Sequence, residues 1–481
     1  MLGLHTALEM HKALTTMEVS SVELLTHSFS RIDECEAQIG AFISFMDREL
    51  LLRQARSIDD RRARGEKVGL FAGVPIAIKD NIAMSGLRLT CASRMLEAYV
   101  PPYSATVVKR LQEAELLILG KTNMDEFGFG SSTENSAFHP TRNPRAVDRV
   151  PGGTSGGSAA AVAAGVVPWA LGTDTGGSVR QPASLCGVVG LRPTYGRVSR
   201  YGLVAYASSM DQVGPIACSI DDTNALFSLI GGNDELDSTS LPNRGHNEVS
   251  STSTAVRLGI PNEYLTEACQ PAVVETVWRI ADLAVELGWK VSTVNVPLTA
   301  YALSIYYIIA SVEAASNLAR FAGTIYGYHT PDAINWNELA VRTRTSGFGA
   351  EVKRRIMLGT YTASAGYADQ FYNKACRARS ALSAEYERTF EKVDLILSPV
   401  SPTTAWCLGE RINDPMRMYL SDIYSVPASL AGIPAVVIPS GHDEDGLPIG
   451  LQLSARARSD NYLLRQAKHL ETQLARAAAH S

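Results

Sequence analysis

The segment Gly172-Thr173-Asp174-Thr175-Gly176-Gly177-Ser178 ends on a serine that directly follows two glycines. Glycine carries no side chain over the backbone, so the N–H groups of Gly176 and Gly177 can come close to a bound molecule. Backbone N–H groups that converge on one point form an oxyanion hole, which stabilises the tetrahedral intermediate of acyl transfer. The segment therefore indicates a nucleophilic Ser178, with a serine in an ordinary structural turn as the alternative interpretation.

A lysine at the end of an apolar run is the second candidate catalytic group. The run Gly73-Val74-Pro75-Ile76-Ala77-Ile78 predicts a short buried strand, and Lys79 follows it directly. Burial lowers the pKa of a lysine ammonium, and the resulting neutral amine can accept a proton from a hydroxyl group. Serine–lysine pairs are an accepted variant of the hydrolase triad. Lys79 is thus a candidate general base, although a solvated lysine beside Asp80 is the commoner arrangement.

A further cluster of hydroxyl groups lies in the segment Pro151-Gly152-Gly153-Thr154-Ser155-Gly156-Gly157-Ser158. Residues 153–157 match G-x-S-x-G, the nucleophile elbow of α/β-hydrolases, but that fold also needs an acid and then a histidine downstream. The downstream histidines lie in plain polar or helical contexts, which makes the elbow the weaker interpretation. Residues 120–122 resemble the end of a P-loop, but Glu115 occupies the position of its first glycine.

Composition narrows the class of protein. The chain has 481 residues, 46% of them hydrophobic, and a net charge of −5, which fits one large α/β domain or two to three smaller ones. Because there is no positive surplus, we do not expect this chain alone to bind nucleic acid. Seven scattered cysteines without a Cys-x-x-Cys pair predict reduced thiols in a cytosol-like compartment. No apolar run approaches about 18 residues, so we expect no membrane span, and no His/Cys spacing predicts a metal site.

The order of patterns along the chain predicts one domain spanning residues 1–481. Residues 1–65 are predicted to be N-terminal helices, and residues 66–232 form the predicted catalytic core. The polar stretch 233–256 is predicted to be a surface linker. Residues 257–481 add helices and strands, and the apolar runs near 395, 435 and 449 are as apolar as the early strands. We therefore expect one mixed central sheet that draws strands from both ends of the chain and is covered by helices.

Several longer segments, taken with the serine and lysine motifs, resemble the amidase signature family over nearly the whole chain. They are residues 120–127, 131–136, 180–183, 192–200 and 351–360. Within that family the chain is most similar to the A-type subunits of aspartyl/glutamyl-tRNA amidotransferases. The resemblance implies a single large α/β/α domain.

The resemblance also implies a triad of Ser178 as nucleophile, Lys79 as base and a bridging hydroxyl group between them. The family places a serine, held by a cis peptide bond, at the bridging position, where this chain has Thr154. Threonine keeps the hydroxyl group but adds a methyl group that restricts rotation about χ1. We expect Thr154 to act as the proton relay, with Ser155 as the fallback. The backbone N–H groups of Thr175, Gly176 and Gly177 are the implied oxyanion hole.

Contacts to the substrate follow from the same resemblance. Arg355 is expected to bind the α-carboxylate of glutamine through two hydrogen bonds, a geometry that suits a guanidinium. Asp422 is expected to bind the α-ammonium group, and Tyr306, or its neighbour Tyr307, to line the pocket. From the residues alone, Arg355 and Asp422 would be interpreted as surface charges.

The implied activity is release of ammonia from glutamine for transamidation of Glu-tRNA(Gln), or of Asp-tRNA(Asn), through a glutamyl-serine ester. The implied partners are B-type and C-type amidotransferase subunits, with tRNA, ATP and Mg²⁺ bound through the partner. This chain itself is expected to hold no cofactor or metal and to work in the cytoplasm or an organellar matrix. The alternatives are a stand-alone amidase acting on another small amide and a catalytically weakened scaffold subunit.

Overall fold

The computed structural model describes residues 3–242 and 255–480. Its strands form one mixed sheet in the order β1-β3-β2-β4-β6-β5-β10-β11-β9-β7-β8. The strands are β1 (Phe42–Phe45), β2 (Pro75–Lys79), β3 (Leu117–Thr122), β4 (Trp169–Asp174), β5 (Val189–Arg192), β6 (Gln212–Ala217), β7 (Arg257–Pro261), β8 (Lys290–Val294), β9 (Leu395–Pro399), β10 (Ala435–His442) and β11 (Pro448–Ala455).

Helices surround this sheet. They are α1 (Ala7–Thr15), α2 (Ser21–Ile39), α3 (Arg48–Ala63), α4 (Thr106–Glu113), α5 (Gly156–Ala163), α6 (Arg180–Cys186), α7 (Ile220–Ile230), α8 (Pro271–Glu286), α9 (Ala302–Asn317), α10 (Trp336–Gly347), α11 (Ala350–Thr362), α12 (Tyr372–Lys392), α13 (Pro415–Leu420), α14 (Val426–Ala431) and α15 (Asp460–His480).

The sheet joins the two ends of the chain, as predicted. Strand β2 lies between β3 and β4 and runs parallel to both. Strand β10 pairs antiparallel with β5, and β11 continues the sheet to β9. The late apolar runs are therefore central strands, and residues of the first and last thirds of the chain share one sheet.

Alternating side chains of the sheet point into two separate hydrophobic clusters. On β2, Ile76 and Ile78 pack into a cluster that also contains residues of α1, α4, α7, α8 and α15. Ala77, between them, packs on the opposite face with residues of α2, α3, α5 and α6. This alternation is the ordinary consequence of a strand's two-residue period. Both faces are covered, so the α/β/α prediction is confirmed.

A third cluster contains residues of α9, α12 and α14 together with single residues of β8, β9 and β10. The stretch Pro297–Arg320, which includes α9, is long and apolar enough to cross a membrane by length and composition alone. However, half of its apolar window is buried inside the molecule, and α9 packs against α11, α12 and α14. We therefore assign α9 to the core of the domain.

The structure shows which helices and strands lie in the predicted divisions of the chain. The N-terminal stretch contains helices α1 to α3, and α2 begins with the capping box of Ser20 and Glu23. It also contains the short strand β1, which pairs with the edge of β3. Residues 243–254 of the predicted linker lie outside the described residues. The boundaries at 65, 232 and 256 stay predictions.

Candidate active site

The serine segment and the lysine lie at the same edge of the sheet. Lys79 is the last residue of β2, and residues 175–178 follow the last residue of β4. Strands β2 and β4 are parallel neighbours, with Ala77 opposite Ala170 and Ile78 opposite Leu171. In open α/β sheets, functional groups gather beyond the carboxyl ends of parallel strands, and both motifs lie there.

The hydroxyl cluster completes the arrangement. Thr154 and Ser155 directly precede α5, which packs against β2 and β4. Lys79 Nζ lies 2.6 Å from Thr154 Oγ1 and 2.9 Å from Ser155 Oγ. The peptide bond between Gly153 and Thr154 is cis. The Ser155 N–H donates to Ser178 O at 3.0 Å, which ties the hydroxyl cluster to the serine segment.

The amine of Lys79 has an unusual environment. The side chain is completely buried, and this burial lowers its pKa to about 7. The carboxylates of Asp125, Asp174 and Asp211 act in the opposite direction but do not restore an ordinary lysine pKa. A substantial fraction of Lys79 is therefore neutral at pH 7, as a general base must be.

Thr154 and Ser155 differ in the other hydrogen bonds that they make. Ser155 Oγ donates to Thr173 O at 3.1 Å and accepts from Thr173 N at 3.2 Å. Its proton is thus committed to the backbone of β4. Within the part of the chain that the structure describes, Thr154 Oγ1 contacts Lys79 as its one hydrogen-bond partner. The proton of Thr154 is therefore the one available for a relay.

The backbone of the serine segment has open donors. Among the described residues, no acceptor binds the N–H groups of residues 175–178, and none binds the Ser178 hydroxyl group. Ser178 is partly exposed, whereas both glycines before it are buried. These N–H groups have the chemistry of an oxyanion hole beside a free hydroxyl group.

Both glycines of the segment are tightly surrounded. A Cβ atom on Gly176 would lie 2.7 Å from the Tyr306 ring, and one on Gly177 would lie 2.2 Å from Ser425 Oγ. Gly177 also has φ +143°, a conformation that side-chain-bearing residues rarely adopt. Ser425 Oγ donates to Gly176 O at 2.6 Å. The segment is thus held closely from the side of α9 and α14.

A buried ion cluster of Asp174, Arg180 and Arg192 lies next to the serine segment. Both oxygens of Asp174 accept hydrogen bonds from Arg180 at 3.0 Å, and Oδ1 also accepts one from Arg192 at 2.9 Å. The two guanidinium groups hold the pKa of Asp174 well below its ordinary value although burial alone would raise it. Asp174 also accepts from Val179 N at 3.2 Å, one residue beyond Ser178.

Arg355 is buried rather than a surface charge. Its guanidinium lies 4.3 Å from the ring centre of Tyr307 and 4.4 Å from that of Tyr419. Its Nε donates to Glu351 Oε1 at 2.7 Å, and its Nη1 donates to Tyr206 OH at 3.2 Å. The stacked rings and these hydrogen bonds fix the plane of the guanidinium, as a bidentate contact to a carboxylate requires.

Asp422 is also buried, with 8% of its surface exposed. It accepts hydrogen bonds from Ser131 Oγ at 2.5 Å and from Gln181 Nε2 at 3.2 Å. Burial raises the pKa of Asp422 to about 7, against the opposing effects of Ser131 and the Arg355 cation. The Asp422 backbone carbonyl accepts from Ser425 N at 3.1 Å, which connects it to the residue that holds Gly176.

Two tyrosines lie between these charges and the serine segment. The Tyr306 ring packs on Gly176, and it meets the Tyr307 ring edge to face at 5.1 Å. Tyr307 in turn stacks on Tyr419 at 4.2 Å, next to the Arg355 guanidinium. Both tyrosines considered for the pocket wall are therefore in this region, and Tyr306 is the one that contacts the serine segment.

Comparison with known proteins agrees with this geometry. A family model described as Amidase matches residues 23–464. The chain belongs to the amidase family. The A subunit of glutamyl-tRNA(Gln) amidotransferase from Desulforamulus reducens is 48% identical to this amidase over 469 residues, which are 97% of this chain and 96% of that protein. The Picosynechococcus protein of the same name is 49% identical over 470 residues, 96% of each chain.

A solved structure gives the same result for the fold. The crystal structure of the glutamyl-tRNA(Gln) amidotransferase A subunit from Thermotoga maritima matches this amidase with a TM-score of 0.78 and 42% identity, covering 96% of this chain and 93% of that one. The family resemblance predicted from the sequence motifs is confirmed.

Several residues of the amidase site were not singled out in the sequence. Gln181 and Ser131 bind Asp422, and Glu351 binds Arg355. Gln181, Ser131 and Glu351 all belong to motif segments that carry the family resemblance, which is the one signal that could have found them. Ser425, three residues after Asp422, lies outside those segments, and only the folded chain reveals its contact with Gly176.

The P-loop-like segment, which lacks the first glycine of a phosphate-binding loop, has a structural role. Lys121 Nζ forms a fully buried ion pair with Asp80 at 3.1 Å, so the P-loop-like segment holds a structural lysine. Asp80, the neighbour of the candidate base, therefore pairs with Lys121 and not with Lys79.

Among the described residues no group of three or more His, Cys, Asp or Glu side chains could hold a metal ion. All seven cysteines lie in the described ranges and are free thiols.

Proposed function

We propose that this amidase is the glutamine-hydrolysing A subunit of a glutamyl-tRNA(Gln) amidotransferase. The observation that carries the proposal is the buried pair of opposite charges, Arg355 and Asp422, grouped around the serine segment. The Arg355 guanidinium, which also pairs with Glu351, and the Asp422 carboxyl group together complement a substrate that carries both an α-carboxylate and an α-ammonium group. Full-length similarity of 48–49% to proteins named as A subunits of glutamyl-tRNA(Gln) amidotransferase supports the same substrate.

The proposed reaction begins with proton transfer away from Ser178. Neutral Lys79 accepts the proton of Thr154 Oγ1 while Thr154 accepts that of Ser178 Oγ. Ser178 Oγ then attacks the side-chain amide carbon of glutamine. The N–H groups of Thr175, Gly176 and Gly177 stabilise the oxyanion, and a single donor of this kind is worth about 10²–10³ in rate. The 2.6 Å contact between Lys79 and Thr154 supports this route.

The second half of the reaction releases the two products. The proton held by Lys79 returns through Thr154 to the leaving nitrogen, so ammonia departs and a glutamyl-Ser178 ester remains. Water, deprotonated by the same base, attacks the ester, and the proton returns through Thr154 to Ser178 Oγ as glutamate is released. Glutamine and water are consumed, and glutamate and ammonia are formed. Arg355 holds the α-carboxylate and Asp422 the α-ammonium group throughout, with Tyr306 as the pocket wall.

The ammonia is used by partner proteins in this proposal. Glu-tRNA(Gln), or Asp-tRNA(Asn), is activated with ATP and Mg²⁺ on a B-type subunit, which also accepts the ammonia, and a C-type subunit stabilises the pair. The net charge of −5 supports binding of tRNA by the partner, because contacts with phosphate groups need a positively charged surface. The complex works in the cytoplasm or an organellar matrix.

The test is ammonia release by the chain alone and by the chain co-expressed with B-type and C-type subunits. Glutamine should be hydrolysed, and the Ser178→Ala and Lys79→Ala variants should lose turnover while forming the same complex. Mass spectrometry of a quenched reaction should locate the glutamyl adduct on Ser178. Hydrolysis of simple amides in place of glutamine would favour a stand-alone amidase. Complex formation without any hydrolysis would favour a scaffold subunit.

A further inference from the structure

The side chain of Gln181 connects three parts of the candidate site. Gln181 is the second residue of α6 and is completely buried. Its backbone N–H donates to Gly177 O at 2.7 Å, within the serine segment. Its side-chain Oε1 accepts from Gly153 N at 2.9 Å, and its Nε2 donates to Asp422 Oδ1 at 3.2 Å. One amide group therefore joins the residue before Thr154 to the Asp422 carboxylate, the proposed site of the α-ammonium group.

The two hydrogen bonds require the two ends of a primary amide. Gly153 N–H can only donate, and an ionised Asp422 can only accept, so one end must accept and the other must donate. Glutamate at position 181 would keep the acceptor for Gly153 and lose the donor for Asp422. Leucine would lose both. The pair of partners thus fixes both the residue type and the orientation of its amide.

The backbone on the Thr154 side has little freedom to move independently. A Cβ atom on Gly152 would lie 2.9 Å from Gln181 Oε1, and one on Gly153 would lie 2.3 Å from Asp125 Oδ2. The turn before Thr154 is therefore packed directly against the Gln181 amide on one side and Asp125 on the other. A change in the position of that amide is felt at Gly153, whose carbonyl carbon is bonded to the Thr154 nitrogen.

We propose that Gln181 is a positioning residue that couples occupation of the α-ammonium site at Asp422 to the alignment of the Thr154 hydroxyl group. Resting on the proposed function, this inference explains how hydrolysis is restricted to amides that carry an α-ammonium group. A bound ammonium holds Asp422 ionised and in place, so the Gln181 amide is fixed at both ends and Gly153 is fixed with it. A ligand without that group leaves the Asp422 carboxyl group without its counter-charge, so the 3.2 Å hydrogen bond from Gln181 Nε2 is weaker.

The test compares two substrates in the assembled complex, glutamine and glutaramate, which keeps the carboxylate and the amide but lacks the α-ammonium group. We expect Gln181→Glu to lower kcat/KM for glutamine by about tenfold or more, the usual effect of losing a charge-assisted hydrogen bond. Turnover of glutaramate should change much less, so the preference for glutamine should collapse. An equal loss with both substrates would show a merely structural role and overturn the inference.

A double variant that exchanges the hydrogen-bonding roles of residues 181 and 422 gives a second test. Glutamine is the only substrate that this test needs. In the double variant Gln181→Glu with Asp422→Asn, the new Asn side chain can donate to the new Glu side chain, so the bridge is rebuilt with its polarity reversed. Multiplying the losses of the two single variants gives the kcat/KM expected if the residues act independently. We expect the measured kcat/KM of the double variant for glutamine to be about tenfold higher than that value, as for directly interacting residues. Independent, multiplicative losses would overturn the inference.

A matched control lies on the same helix. Ser184 on α6 donates to Gly450 O at 3.1 Å on the side of β11, and Ser184→Ala should leave the substrate preference unchanged. The two proposals fail in different ways. Absence of glutamine turnover by the parent complex would overturn the proposed function and this inference with it. Normal turnover with an unchanged preference in Gln181→Glu would overturn this inference alone.

Discussion

Two adjacent hydroxyl groups, on Thr154 and Ser155, contact the Lys79 amine. They differ in their other hydrogen bonds, and this difference indicates different roles. Ser155 is bound twice to the backbone of Thr173, so it helps to hold Lys79 against β4. Thr154 has no such second bond among the described residues. A hydroxyl group can relay a proton only if its own proton is free to move, which favours Thr154.

Substitution of each hydroxyl group should give different results. Thr154→Val preserves shape and removes the hydroxyl group, and we expect kcat for glutamine to fall by about 10²–10⁴, the usual size of a general acid–base contribution. Thr154→Ser should be at least as fast as the parent, because serine rotates more freely about χ1. Ammonia release under saturating glutamine is the measurement.

Ser155→Ala is the comparison for that experiment. It leaves the buried Thr173 N–H without its Ser155 contact, so the free energy of unfolding should fall by about 1–3 kcal/mol. Its effect on kcat should be smaller than that of Thr154→Val. An active Thr154→Val enzyme with an inactive Ser155→Ala enzyme would assign the relay to Ser155.

The lowered pKa of Lys79 predicts the direction of the pH dependence. Burial lowers this pKa to about 7, and the proposed mechanism needs the neutral form, so kcat should rise as the pH increases through about 7 and then level off. In the proposed function Asp422 binds the α-ammonium group, and its raised pKa, about 7, adds a second group that must then be ionised for binding. The acid limb of kcat/KM should therefore be steeper than that of kcat. A rate that falls between pH 6 and 8 would contradict this assignment.

At the scale of elements, the site depends on the short connection between β4 and α6. Its residues are held by Tyr306 of α9, by Ser425 and by the Asp174–Arg180 pair at its base. The helix α6 then begins at Arg180, two residues after Ser178, and its Gln181 contacts the turn before Thr154. The geometry of the proposed oxyanion donors is thus set by neighbouring elements and not by the connection alone.

Substitution of a glycine in this connection should lower kcat. In Gly177→Ala the new methyl group would collide with Ser425 Oγ, and we expect kcat to fall by about 10²–10³ because the oxyanion donors are displaced. Gly165→Ala is the control, since Gly165 also has a positive φ but nothing within 4 Å of the added atom. The control should keep its kcat. Equal kcat values in the two variants would contradict the crowding argument.

At the scale of the whole molecule, distant parts of the chain converge on the base of the site. Arg180 binds Asp174 beside it and also donates to Ser425 O at 2.8 Å, Ser429 Oγ at 2.8 Å and Gln452 Oε1 at 2.9 Å. The serine segment, α14 and β11 are thus joined through one buried guanidinium. The ion cluster should therefore contribute to the stability of the entire domain.

Neutralising Asp174 should destabilise the fold. Asp174→Asn leaves two buried guanidinium groups without their counter-charge, and we expect a loss of about 3–5 kcal/mol in the free energy of unfolding. Because the folded-state pKa of Asp174 is depressed, its contribution is present above the ordinary carboxyl pKa of about 4 and is lost as the pH falls below it. Urea unfolding at several pH values should show this acid loss in the parent and a weaker one in the variant.

The exposed pair of Asp33 and Arg48 supplies the control. Both side chains are about half exposed to solvent, so solvent screening leaves little net stabilisation. Asp33→Asn should unfold at nearly the same urea concentration as the parent. A similar, small effect of Asp174→Asn would show that the buried cluster is not needed for stability.

Much of the site could be predicted because its residues occur in local motifs. Lys79 after an apolar strand and Ser178 after two glycines are recognisable from neighbouring residues alone. The strand order, the partners of Asp422 and the role of Ser425 could not be predicted in this way. They depend on contacts between residues up to 291 positions apart in the chain, as for Ser131 and Asp422.

The sequence by itself determined the family, the alternating α/β pattern and the chemical groups available for catalysis, because these depend on residue type and short-range spacing. Only the tertiary structure decided which hydroxyl group has a free proton, how far the Lys79 pKa is lowered, and that Gln181 joins Asp422 to Gly153. Burial and hydrogen-bond partners control all three properties. Both are set by the packing of distant segments, which no local pattern encodes.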